Sequence, residues 1–237
     1  MIPLIYFLRK NSSILRLGKT KFEGKVLIKA TSNGLSEFMT NISMSIVAIL
    51  FNSQLMKYSG ENGVAAYGVM MYVSMIFTAV FVGFSIGASP VISFHFGAKN
   101  TDELKNLIRK SIVIVGTFGI IMVIAAEIFA GGLAKIFVGY DEELYRLTLS
   151  GFRIFALSFG FMGFGILTSG LFTALNDGLT IALISFLRTL VFESGAVMLL
   201  PLIFGIHGIW YSVVVSEFLA LVLGAVFLVI NRKKYHY

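Results

Sequence analysis

Apolar side chains run through this chain in six long blocks, each closed by a short polar separator. The blocks fall at roughly 26–54, 63–97, 110–138, 147–175, 179–203 and 208–230. Lys57 to Gly63, Gly97 to Glu103 and Gly139 to Glu143 separate the first four. Asn176-Asp177-Gly178 and Phe204 to Gly208 read as tighter turns. About 20 apolar residues in a helix cover ~30 Å of hydrocarbon, so each block predicts a membrane-spanning helix. Barrel strands are half that length and alternate in polarity, which these blocks do not. Residues 100–110 predict a short amphipathic helix on the membrane surface, with Leu104, Leu107 and Ile108 on one side. The fold class is therefore all-α integral membrane, with six transmembrane helices.

Composition agrees. Of 237 residues, 57% are hydrophobic and 13% charged, more apolar side chain than one soluble core can hide. That excludes a soluble enzyme. There is no cysteine, which excludes a disulfide-built secreted domain. The net charge of +7 would suggest nucleic acid in a soluble protein. Here the cations sit between apolar blocks instead, so no nucleic-acid partner is expected. Residues 1–30, 97–110 and 231–237 carry fourteen Lys and Arg, against Lys57, Lys135 and Arg146 on the alternate loops. This bias predicts that both termini are cytoplasmic. A secretory signal puts basic residues before its apolar region, whereas Arg9-Lys10 follow Met1 to Leu8. The expected organisation is a basic cytoplasmic linker over 1–25, opening on the tail of a helix. A six-helix lobe over 26–230 and a basic cytoplasmic tail over 231–237 follow.

Ionisable groups inside a span cost at least ~2.5 kcal/mol on insertion scales, so each needs a reason. Glu37 lies near the middle of the first span. Asn33, Glu37, Asn41 and Ser45 recur every four residues and form one polar stripe, flanked by Ser36, Thr40 and Ser43. Such a stripe suits a cation or proton site facing an aqueous cavity, with the amides as oxygen ligands or hydrogen-bond partners. Interhelical glue is the other reading of the same residues. Glu193 and Glu217, in the fifth and sixth spans, are secondary candidates. Arg188 and Glu193 are five residues apart, ~140° on an α-helix, so each is expected to face a different neighbour. Glu127 and Arg153 lie near span ends, within reach of the interface. Gly83, Gly87 and Pro90 close the second span and are candidate hinge positions: the glycines permit close helix contact, and the proline removes a hydrogen bond. The fourth span, with Gly160, Gly163, Gly165 and Gly170 among phenylalanines, predicts an easily bent helix. No Walker A pattern, HExxH or dinucleotide-binding glycine pattern is present, and no enzyme activity or cofactor is expected.

Several pieces, in order and spacing, resemble the C-terminal half of multidrug and toxic compound extrusion (MATE) transporters. They are Gly34-Leu35-Ser36-Glu37-Phe38, Asn62 to Tyr67, Gly83 to Pro90, Phe96 to Asn100, Leu200-Pro201, Phe204 to Trp210 and Ser216-Glu217. The resemblance covers residues ~1–232 and implies one lobe of a twelve-helix, two-lobe transporter. It implies exchange of organic-cation drugs for H+ or Na+ as the coupling ion at the plasma membrane. It also places Glu37 where the family often carries an acid on its seventh helix. Some members add an aspartate on helix ten, and the fourth span here has no acid. The partners implied are the lipid bilayer, organic-cation drugs, and an N-terminal six-helix lobe or a second copy of this chain. On the same resemblance, residues 1–25 correspond to the end of helix six and the inter-lobe loop. Three expectations follow from the length: a fragment of a full transporter, a half-transporter that pairs, or an inactive, unpartnered lobe. A flippase for lipid-linked substrates from a related superfamily is a further alternative. It would need a strongly cationic cavity, and only Arg153 and Arg188 lie inside spans.

Overall fold

A computed structural model describes residues 22–235, and those residues are helical almost throughout. Two compact units divide the chain, residues 1–34 and 35–237. In the first, the described side chains Phe22, Leu27 and Ile28 are exposed. The second unit contains the spans discussed below.

Among the described residues, seven α-helices and one π-helical segment follow in order: α1 (Gly24–Gly97), α2 (Thr101–Val138), α3 (Glu142–Ala156), α4 (Phe159–Ala174), α5 (Gly178–Ser185), π1 (Phe186–Glu193), α6 (Ser194–Phe204) and α7 (Ile206–Tyr235). The helix starts follow local rules. Asn100 caps α2 by accepting from the Glu103 N–H, and Asp102 and Glu103 occupy its first turn. Asp141 caps α3 by accepting from Glu143 and Leu144 at 3.0 Å. Asp177 caps α5 by accepting from the Thr180 N–H.

Six spans result. α1 is interrupted at Gly60, whose φ of 60° and ψ of −150° are non-helical. The Phe51 and Tyr67 rings stack 5.0 Å apart. On a straight helix sixteen residues would separate them by ~24 Å, so the chain folds back here and makes two spans. Gly63 sits in the closing turn, where a side chain would meet Ser59 Cβ at 2.8 Å. α2 is the third span. α3 and α4 form the fourth, bent by 50° at Leu157–Ser158. The bend lies just before the glycine-rich stretch in which the sequence predicts it. α5, π1 and α6 form the fifth span, and α7 the sixth.

One expectation changes. The separate surface helix over 100–110 does not exist as such; it is the opening of the 38-residue α2. No Pro interrupts residues 101–138, and Leu104 and Ile108 are buried against Ile92, Leu171 and Phe172. At 1.5 Å per residue, α2 is ~57 Å long and extends well beyond the hydrocarbon.

Two buried clusters mark the two ends of the lobe. Phe51, Met70, Leu144, Phe152, Val197 and Trp210 pack at the end holding the turns near 60, 140 and 205. Ile92, Leu104, Phe172, Leu175, Ile184 and Tyr235 pack at the end holding the turns near 99 and 176 and the end of α7. Turns thus alternate between ends, as six antiparallel spans require. Lipid tails are as apolar as leucine, so contact between these helices depends on close fit. Small residues supply it. A side chain at Gly119 would meet the Gly160 carbonyl oxygen at 3.2 Å, and one at Gly151 would meet Met70 Cε at 2.5 Å and Trp210 at 2.8 Å.

Candidate functional site in the membrane-spanning bundle

The inward face of the first span is Ser43, Val47, Phe51 and Leu55, all buried and spaced by four. Asn41 and Ser45 lie off that face and are exposed, with Ser45 Oγ donating to the Asn41 carbonyl at 3.0 Å. Phe38, Ile42 and Ile46, apolar residues of the same span, are exposed as well. The backbone of α1 carries Asn33 and Glu37, whose side chains lie outside the described residues.

The second span places Gly83 and Gly87 outward, with open space where a side chain would stand. The close approach on this span is made instead by Ser85 against Gly170, where a side chain would run into the serine hydroxyl. Pro90 lies within α1, where Gly60 has the non-helical dihedrals. Ser93 Oγ, three residues on, donates to the Ala174 carbonyl at 2.9 Å and joins this span to the end of α4.

The fifth and sixth spans bring charges together. Arg188 Nη2 donates to Glu217 Oε1 at 2.6 Å, with the arginine side chain 23% and the glutamate side chain 9% exposed. Arg188 therefore pairs with a neighbouring helix, as the sequence analysis expects. Its guanidinium lies over Gly165 of α4, where a Cβ would stand 3.3 Å from Arg188 Cζ. Glu193, at the end of the same segment, is half-buried. Arg188 and Glu193 both lie in π1, whose i→i+5 bonding narrows the ~140° they would have on an α-helix, and the ion pair that Arg188 makes is with Glu217 on another helix. The second Glu217 oxygen, Oε2, and Ser194 Oγ are buried without a hydrogen-bond partner. Sequence reading found each charge but missed the grouping. The available signal was an acid and a base on adjacent spans, because intramembrane charges pair with one another.

At one end of the lobe, Asp177 closes a clasp. Its Oδ2 accepts from Lys234 Nζ at 2.7 Å and from the Tyr235 hydroxyl at 2.5 Å. Burial pushes the Asp177 carboxyl up, but donation from Lys234, Tyr235 and Thr180 outweighs it and holds the group at about 2. Cations from the basic separators converge here. One pocket of about 410 Å³ has Lys99 and Lys234 in its walls, and another of about 360 Å³ has Lys105, Arg109 and Arg232. At the spans' outer edge, Arg153 and Glu127 approach each other at 3.9 Å, largely in the open.

Six antiparallel apolar helices with paired charges between them define a multi-pass membrane protein. Residues 38–199, more than half of the chain, match the MatE family, and the chain belongs to that family. It is 22% identical over 218 residues to the multidrug export protein MepA of Staphylococcus aureus (strain bovine RF122 / ET3-1), covering 90% of this chain and 47% of that protein. It is 27% identical over 151 residues to the probable multidrug resistance protein YoeA of Bacillus subtilis (strain 168), covering 61% of this chain and 32% of that one. A crystal structure of MATE in the straight conformation superposes with a TM-score of 0.89 at 21% identity, covering 99% of this chain and 54% of that one. An outward-facing multidrug resistance MATE family transporter superposes at 0.87 and 20% identity, covering 99% and 53%. These structures share the fold of one lobe, and the chain spans about half the length of the relatives it matches.

Proposed function

We propose that this chain is one six-helix lobe of a cation-coupled multidrug antiporter, exporting organic cations in exchange for H+ or Na+. The observation that carries this reading is the polar row on the first span. Asn41 and Ser45 point away from the lobe's own packed face of Ser43, Val47, Phe51 and Leu55. By sequence register Glu37, near the middle of the span, and Asn33, one turn before it, continue that row. Polar groups at that depth need water or a partner. A central cavity between this lobe and a second one, either a separate N-terminal lobe or another copy, supplies both.

In this reading Glu37 binds the coupling ion with help from Asn33 and Asn41. Ion binding displaces the drug, and the second span moves about Gly83, Gly87 and Pro90 in alternating access. Both termini lie in the cytoplasm at the plasma membrane. A flippase for pyrophosphate-linked lipids fits less well, because Arg188 is engaged by Glu217 and Arg153 stands beside Glu127.

Ethidium efflux from cells lacking their own pumps tests the reading. The chain is expressed alone and with a matching N-terminal lobe, at equal membrane levels. Efflux that appears with either arrangement and is abolished by Glu37→Gln is expected. Efflux that persists unchanged in Glu37→Gln would overturn the role of Glu37. No efflux in either arrangement would favour an unpartnered lobe.

A further inference from the structure

Three cations at one end of the lobe stand on two helices that part from each other. α2 and α7 both pack on α4, and among the described residues their backbones do not meet. A cleft of about 360 Å³ lies there, walled by Lys105, Ile108, Arg109, Ile112 and Val113 of α2 and by Arg232 of α7. Its walls are sorted by polarity. Lys105 and Arg109 precede the apolar block that opens near 110, and Arg232 follows the block that closes near 230, so all three stand at headgroup level. Ile112 and Val113 lie about one turn deeper and are 38% and 61% exposed. Ile108 and Ile112 also wall a small apolar hollow backed by Leu167 and Leu171 of α4. Lys105 and Arg109 are exposed, one turn apart on one side of α2, where like charges repel. Neither has an ion-pair partner among the described residues. The nearby Glu103 is held by Asn106. In the neighbouring pocket of about 410 Å³, by contrast, Lys234 is already held by Asp177.

We propose that this cleft binds an anionic phospholipid from the leaflet it faces. The phosphodiester oxygens of the lipid accept from the forked guanidinium groups of Arg109 and Arg232, while Lys105 adds a point charge. One acyl chain runs down Ile112 and Val113 into the bilayer, covering apolar side chains in the same direction in which the charges give way to them. Basic pockets between membrane-spanning helices hold acidic headgroups on this principle. A zwitterionic lipid fits poorly, because its own ammonium group would be brought among three cations. A free phosphate has no chain and leaves the apolar part of the wall uncovered. The bound lipid bridges α2 and α7, the third and sixth spans, which otherwise join through α4. The site lies apart from the polar row on the first span and does not depend on the antiporter reading.

The test uses the full chain reconstituted in bilayers, with Val113→Trp as a fluorescent reporter in the cleft. The native Trp210 is fully buried in the cluster at the opposite end and gives a constant background. Brominated phosphatidylglycerol and brominated phosphatidylcholine are compared as quenchers at equal mole fraction. Each cation close to an acidic headgroup is worth about a fivefold preference, so phosphatidylglycerol is expected to be favoured at least about fivefold. Arg109→Gln with Arg232→Gln removes one cation from each wall and is expected to cut that preference at least about fivefold. Lys110→Gln with Lys233→Gln removes two exposed cations that do not line the cleft and is expected to retain it. Inorganic phosphate at constant ionic strength is expected to leave the quenching in place. All four substituted cations are exposed, so circular dichroism is expected to show unchanged helix content. Equal quenching by the two lipids, or a preference that survives Arg109→Gln with Arg232→Gln, would overturn the proposal. So would a preference lost to the same extent in Lys110→Gln with Lys233→Gln, which would mark general charge attraction. Release of the lipid by inorganic phosphate would also overturn it, as a site for free anions.

Discussion

Asp177 shows how much one side chain can hold at the edge of a membrane bundle. It caps α5, pairs with Lys234 and accepts from Tyr235, so it ties the turn after α4 to the last residues of α7. Its carboxyl is held at about 2, below the ordinary 3.8. A carboxyl depressed in the folded state adds stability above its unfolded value, and that stability is lost as pH falls through the folded value. Asp177→Asn should therefore lower stability by about 1–2 kcal/mol at neutral pH, after allowance for the exposure of Lys234. The difference from the parent should shrink as pH falls from about 4 to about 2. Thermal unfolding in detergent across that range checks it. The sequence showed Asp177 as a turn residue and Lys234 as part of a basic tail, but nothing local joined positions 57 apart.

Among the elements, the break at Gly60 and the π1 segment decide what the spans can do. Gly60 takes a φ and ψ that side chains scarcely adopt, at a cost of about 1–3 kcal/mol for other residues. Gly60→Val should weaken the hairpin by that amount. Gly83→Ala, at a helical position facing open space, should leave stability unchanged or slightly raised. Chemical unfolding of the two variants side by side is the measurement, and equal stability would contradict the assignment of the break. The Lys57 to Gly63 separator was legible as a turn because glycine and polar residues cluster there. π1 was not legible. Its Phe-Leu-Arg-Thr-Leu-Val-Phe-Glu sequence carries no glycine or proline, and the segment packs against α7, far along the chain.

For the whole molecule, the packing of turns at two ends matches the distribution of cations along the chain. Lys99, Lys105, Arg109, Arg232 and Lys234 gather around the pockets at one end, and that end is expected in the cytoplasm. The chain has no native cysteine, so single introduced ones report cleanly. On intact cells, an impermeant maleimide should label Tyr140→Cys and spare Asn100→Cys; the reverse pattern would invert the orientation. The sequence by itself determined the class of protein, the six spans and the charge bias between loops. Each is a local property, read from the length and polarity of one stretch against the thickness of a bilayer. The tertiary structure decided which side of the first span packs, that the second-span contact runs through Ser85 rather than Gly83 and Gly87, and which buried charges meet. Those outcomes depend on helix phase and on close fit between residues far apart in the chain. A one-residue change in winding, as in π1, moves a side chain to another face without altering composition or hydropathy.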